Sequence, residues 1–142
     1  MATLARTVKK IKAFDFERAI LNIVSFNDQK ALNLNRDDQL FKGGSDANGD
    51  LLQPEYADLT IFLKTMSGQP TDRVTLRDTE SFHNSFFLDA SKFPLRISAT
   101  DSKTGELMDK YGEDIFGLDD ESQAEFNEYI LDDIQEALKK AL

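Results

Sequence analysis

The stretch that most restricts how this chain can fold is residues 73–103, RVTLRDTESFHNSFFLDASKFPLRISATDSK. Within it Phe93, Leu95, Ile97 and Ala99 alternate with Pro94, Arg96, Ser98 and Thr100. That is period 2, the pattern of a strand with one buried face. Phe82, Phe86, Leu88 and Ala90 mark the apolar face of a strand before it. Ser91 and Lys92 lie between the two and suit a tight connection. The expectation is a short strand, a turn and a hairpin. No nucleophile, metal cluster or phosphate cradle falls in the stretch, so function is expected in a surface and an assembly rather than in a pocket.

The flanks read mainly as helix. Phe16, Ala19, Ile20, Ile23 and Val24, followed by Asn27 and Ala31, recur at 3- and 4-residue spacings and predict one long helix over residues 13–31. Residues 33–50, NLNRDDQLFKGGSDANGD, have the Asn, Asp and Gly content of a loop. A short hairpin pairing Leu40–Phe41 with Leu51–Leu52 is the strand alternative there. Pro54 suits the opening turn of a helix over residues 55–66, with Leu59, Phe62, Leu63 and Met66 on one side and Gly68 and Pro70 as its stop. A short helix over residues 101–112 carries Leu107 and Tyr111 and ends at Gly112. Asp119 reads as the N-cap of a last helix, with acids in its first turn and Lys139 and Lys140 in its last. Phe126, Ile130, Ile134, Ala137 and Leu138 are its apolar stripe.

These elements predict a basic arm, residues 1–12, and a single α+β domain, residues 13–142. A mainly antiparallel sheet of three to five strands packs on the long N-terminal helix, with the acidic C-terminal helix closing the core or lying along its edge. A chain of 142 residues suffices for that. The absence of cysteine excludes disulfides, thiolate zinc sites and cysteine nucleophiles, and suits a reducing cytoplasm. No apolar run reaches 18 residues, so no transmembrane helix is expected.

Net charge is −9 and it is unevenly spread. Residues 101–142 hold 13 acids and 4 bases, whereas residues 1–100 hold 13 of each. Arg6, Lys9, Lys10 and Lys12 stand in a start that has no acid. The acidic end argues against wrapping nucleic acid, because phosphate contacts need clustered Lys and Arg. The polarity leaves two readings: a solvated helix and a frayed basic terminus, or a head-to-tail contact in which one copy's arm meets the next copy's acidic helix.

Motifs for chemistry are weak throughout. Asp46, Asn48 and Asp50 imitate the start of a calcium loop, but Leu51 and Ala57 stand where that loop needs Gly and Glu, so an Asx-type turn is the reading. His83 is the sole histidine and lacks a partner motif for acid–base catalysis. Adjacent acids such as Asp132 and Asp133 point in different directions on a helix and read as a solvated face. Gly43, Gly44, Gly112 and Gly117 fit turns and caps rather than a phosphate loop. No catalytic, metal or cofactor residues are expected. Phe87 should face outward if Phe86 faces the core, which makes it a candidate apolar anchor. Arg73, Arg77 and Arg96 are candidates for a basic sheet face, with ordinary surface solubility as the other reading.

From about residue 40 onward the chain resembles the tail-completion, or virion-morphogenesis, proteins of the neck of tailed phages. The likeness lies in LLQPEYADLTIFLK, then VTLRDTESFHNSF, then a strand and TDSKTGELMDKYG, then a closing helix. Residues 79–85 match a segment that enters the hairpin in that family, with Glu80 in the place of the family's glycine. Lys103, Tyr111 and Gly112 match a later segment. The resemblance implies a subunit without active site or cofactor, in a ring of six or twelve copies at the portal–tail junction. Its neighbours would be portal or connector and tail-tube proteins, close to packaged DNA but without sequence-specific contact. It would assemble in the host cytoplasm and reside in the virion. The acidic end supports a different class, a small regulator that binds a basic host partner or mimics nucleic acid; such a protein would show salt-sensitive binding.

Overall fold

The computed structural model describes residues 2–141. Seven α-helices lie among them: α1 (Ala2–Ala13), α2 (Phe16–Phe26), α3 (Asp28–Asn33), α4 (Asp58–Met66), α5 (Ser81–Asn84), α6 (Thr104–Tyr111) and α7 (Asp120–Ala141). A π-helical segment, Leu34–Gly43, continues α3, and a 3-10 turn, Glu113–Ile115, follows α6. Two strands, β1 (Phe86–Asp89) and β2 (Arg96–Ala99), form one antiparallel pair. The protein is therefore mainly helical. The expected three-to-five-stranded sheet on a long N-terminal helix is not its architecture.

Each departure has a local cause. Ala, Leu, Arg and Lys are good helix formers, and residues 1–12 contain neither Gly nor Pro, so the expected arm is helical as α1. The long helix over residues 13–31 divides twice. Asp15 accepts a hydrogen bond from the Arg18 amide at 3.1 Å and starts α2 afresh. Asn27 leaves helical geometry and donates its side-chain amide to the Ile23 carbonyl at 2.8 Å, which closes α2. The segment at residues 34–43, expected as loop, is helical with a wider turn. That turn sends Leu34, Asn35, Gln39 and Leu40 inward together. Ser45 and Leu51 make a single bridge in place of the hairpin expected there.

The strand expected around Phe82 is a helical turn. Phe82 and Phe86 are four residues apart, a spacing that satisfies a helix as well as a strand. Val74, Thr75 and Leu76 are buried in succession without strand partners, and Leu76 ends the extended run in the left-handed region, φ +56°. The hairpin itself is present, in the register Phe86 to Ala99, Phe87 to Ser98, Leu88 to Ile97 and Asp89 to Arg96. Its connection is longer than Ser91 and Lys92, because the ladder begins only at Arg96 and Phe93 is exposed. Asp89 organises it by accepting from the Ser91 amide at 3.0 Å and the Ser91 hydroxyl at 2.6 Å, and these bonds hold its carboxyl below the usual value.

Two cores meet at the hairpin. In one, Leu32, Leu40, Phe82, Phe86 and Ile115 pack together, with Phe82 and Phe86 edge to face at 5.0 Å between centroids. In the other, Val24, Ala31 and Leu34 meet Phe126 and Ile130 of α7. Leu88 touches both. Asp119 caps α7 as its sequence predicts, accepting from the Ser122 amide at 2.8 Å.

Buried amides fasten the two cores. Asn35 is fully buried; its Nδ2 donates to the Ile115 carbonyl at 2.9 Å and its Oδ1 accepts from the Gly117 amide at 3.0 Å. One helical step on, Gln39 donates to the Gly117 carbonyl at 2.8 Å and accepts from the Asp119 amide at 2.8 Å. Two side chains thus satisfy four backbone groups of the segment that delivers the chain into α7. Gly44 matters beside them: at φ +59° a Cβ would lie 2.8 Å from the Arg73 Cβ, so the chain can only pass here as glycine.

Candidate interaction surface and cleft

α4 is turned inside out. Leu59, Phe62, Leu63 and Met66 fall at i, i+3, i+4 and i+7, which the sequence alone assigns to a core. They are instead 69%, 60%, 55% and 75% exposed. The inward face carries Thr60 and Lys64. Lys64 is only 8% exposed. Neither α1 nor α4 packs extensively against another helix or strand. α1 also exposes Leu4 and Val8, one turn apart, and Phe26 at the end of α2 is open to solvent.

The backbone around α4 explains the inversion. Residues 67–80 return beneath the helix and supply polar partners instead of an apolar wall. Lys64 Nζ donates to Gln69 Oε1 at 3.0 Å and to the Arg77 carbonyl at 3.3 Å. It also lies 4.8 Å from the centroid of the Tyr56 ring. Gln69 in turn donates to the Asp78 carbonyl at 2.9 Å. Tyr56 hydroxyl accepts from the Thr75 amide at 2.9 Å. With its inner face committed to this polar support, the helix has only the outside for its apolar stripe.

A cleft of about 370 Å³ opens between α4, the 76–81 segment and α6. Its cations are Lys64, Arg77, Lys103 and Lys110, and its one lining carboxylate is Asp78. Tyr56, Leu63, Phe82, Leu107 and Tyr111 form the apolar part of its wall. Beside it, Leu76 and Glu80 both adopt left-handed backbone, φ +56° and +69°. Glu80 thus holds the conformation that a glycine adopts freely.

The residues singled out from sequence are scattered. Arg6, Lys9, Lys10 and Lys12 are exposed along α1. Arg73 and Arg77 come together over the Phe41 ring, 5.7 Å and 4.4 Å from its centroid. Arg73 donates to the Phe41 carbonyl at 2.7 Å and pairs with Asp72, while Arg77 pairs with Glu80. Arg96 sits on β2 opposite Asp89, in a different element. The three arginines therefore form no common sheet face, because residues 73–77 are not a strand. Phe87 on β1 is 43% exposed while Phe86 is buried.

Asp46 is fully used by its own loop: Oδ1 accepts from the Asn48 and Asp50 amides at 2.9 and 3.0 Å, an Asx turn. Among the described residues no group of His, Cys, Asp and Glu is placed to hold a metal ion, and no helix is long and apolar enough to cross a membrane. His83 is buried. Its Nε2 bonds the Thr75 carbonyl at 2.9 Å, and its Nδ1 has no partner. Burial, partly opposed by the Thr75 bond, pushes the imidazole below its ordinary value; Arg77 and Arg36 lower it further and Asp37 raises it. Its ring packs with Phe82 and Phe86.

Sequence alone did not single out Lys64 or Lys110, and it marked Lys103 only as part of a family-like segment, not as a cleft residue. The available signal was a lone lysine opposite the stripe of a short apolar helix, which ordinarily marks the solvent side. Compared with protein-family models, curated proteins and solved structures, the chain matches none.

Proposed function

We propose that this chain is a structural subunit whose work is done by contact with further copies of itself and with neighbouring structural proteins. In its specific form the proposal is a component of the phage neck, a ring that joins or completes the portal–tail junction during virion assembly. The observation that carries it is the outward stripe Leu59, Phe62, Leu63 and Met66 on a helix that its own chain leaves uncovered. Covering each such side chain contributes about 1.5–3 kcal/mol, so a matching surface on another copy gains strongly from contact. A charge-polarised subunit supports the same reading, since a repeated contact between unlike patches generates a ring when its rotation closes. The neck assignment rests on the sequence resemblance; the wider sheet expected from the residue pattern is absent and is no part of its support.

The test has two levels. Imaging of purified virions with symmetry left free should place the chain in a ring of six or twelve at the portal–tail junction. In solution, light scattering behind size exclusion should show assembly that the paired substitution Leu59→Ser and Phe62→Ser abolishes. Absence from particles would discard the neck; a wild-type chain that stays monomeric at high concentration, with and without the neighbouring neck proteins, would discard the subunit reading itself.

A second reading, the acidic regulator, has one observation of its own. Glu121, Glu128 and Asp132 are exposed along α7. It predicts capture of a basic partner that weakens steeply with salt and ignores the α4 substitutions.

A further inference from the structure

We infer that the cleft beneath α4 is a binding site for a small organic anion, a carboxylate or phosphate carried on an apolar or aromatic body. The first argument is the state of Lys64. An ammonium offers three donors, and burying it without a counter-charge is unfavourable. Lys64 is more than nine-tenths buried, has two hydrogen bonds to neutral oxygens, and has no carboxylate within ion-pair distance among the described residues. Both hydrogen-bonding partners, Gln69 and Arg77, also line the cleft, so the ammonium lies at its wall.

The second argument is local charge. The chain as a whole is −9, yet the lining holds four cations and one carboxylate. Arg77 is offset by Glu80, which leaves Lys64, Lys103 and Lys110 against Asp78. Three lysines converging from two helices and the loop before one of them give a positive concavity on an acidic protein, which concentrates anions. The third argument is shape. The volume suits a ligand about the size of a substituted benzene ring or larger, and Tyr56, Phe82 and Tyr111 offer aromatic surface for its body. Finally, the wall that includes Arg77 is held by left-handed backbone at Leu76 and Glu80, a strained conformation of the kind that gathers at ligand clamps.

The inference does not depend on the ring proposal, since a monomer would present the same cleft. Titration of the full chain by calorimetry, using phenyl phosphate, benzoate and inorganic phosphate as separate probes, tests it. Saturable binding of at least one aromatic anion is expected, tighter than inorganic phosphate and weakened by salt. The relative affinity of phenyl phosphate and benzoate assigns the head group. Lys64→Met should weaken binding at least about tenfold. Because that residue is buried, Lys103→Ala combined with Lys110→Ala provides a second variant at exposed positions; it should retain the circular dichroism of the native chain and still weaken binding several-fold. No saturable binding of either aromatic anion up to millimolar concentration, or binding unchanged in the double variant, would overturn the assignment.

Discussion

The two ends of the 34–66 region solve opposite problems with opposite materials. At residues 34–43 a polar segment is taken inside: Asn35 and Gln39 become buried clamps between apolar neighbours Leu34 and Leu40. At residues 58–66 an apolar segment is left outside, while its lysine is taken in. What separates them is the partner each was offered. The 34–43 segment faces backbone amides and carbonyls of residues 115–119, which its side-chain amides satisfy in both directions. The 58–66 helix faces the Arg77 carbonyl and Gln69, which want a donor. Burial in this protein follows hydrogen-bonding need as much as hydropathy.

The contrast is most easily broken at the clamp. Asn35→Leu keeps the branching at Cγ but adds volume and strands the Ile115 carbonyl and the Gly117 amide inside the protein, and should cost about 2–4 kcal/mol in urea unfolding. A loss below about 0.5 kcal/mol would mean that water or relaxation serves those groups equally well. Removing the cap at the far end of the same segment, with Asp119→Ala, should cost about 1 kcal/mol and fray the first turn of α7, seen as faster amide exchange at Ser122.

Acid sharpens the comparison further. His83 is held neutral in the fold, so the unfolded chain binds the proton more tightly. Its contribution is whole above the unfolded value near 6.5 and is lost as pH falls from there toward the lower folded value. Thermal unfolding followed between pH 7.5 and 5 should show that decline, and His83→Phe should flatten this part of it.

The smallest expected effect lies on the other side of the contrast. Leu59→Ser with Phe62→Ser should change monomer stability by less than about 1 kcal/mol, since both are already in water, while removing association. A loss of several kcal/mol would show instead that the stripe is part of this chain's own core.

Much of the secondary structure was legible from sequence because it follows from short-range rules. The α7 stripe and its cap, the outward Phe87 and the hairpin of Phe86–Asp89 with Arg96–Ala99 all rest on residues within one turn or one pair of strands. The wider sheet failed because Phe82 and Phe86 satisfy a helical turn and a strand equally, and period alone does not choose. The candidate site was less legible. Arg73 and Arg77 were noticed as charge, but their convergence on Phe41 needs residues 32 and 36 positions away to be folded back against them.

By itself, then, the sequence determined that the chain is cysteine-free, charge-polarised and provided with a capped acidic helix over residues 120–141. Tertiary structure alone decided which face of each helix turns inward. That choice depends on the donors and acceptors presented by distant segments, which hydropathy does not encode; it is why Asn35 is buried, Phe62 is not, and a lysine lies at the wall of the cleft.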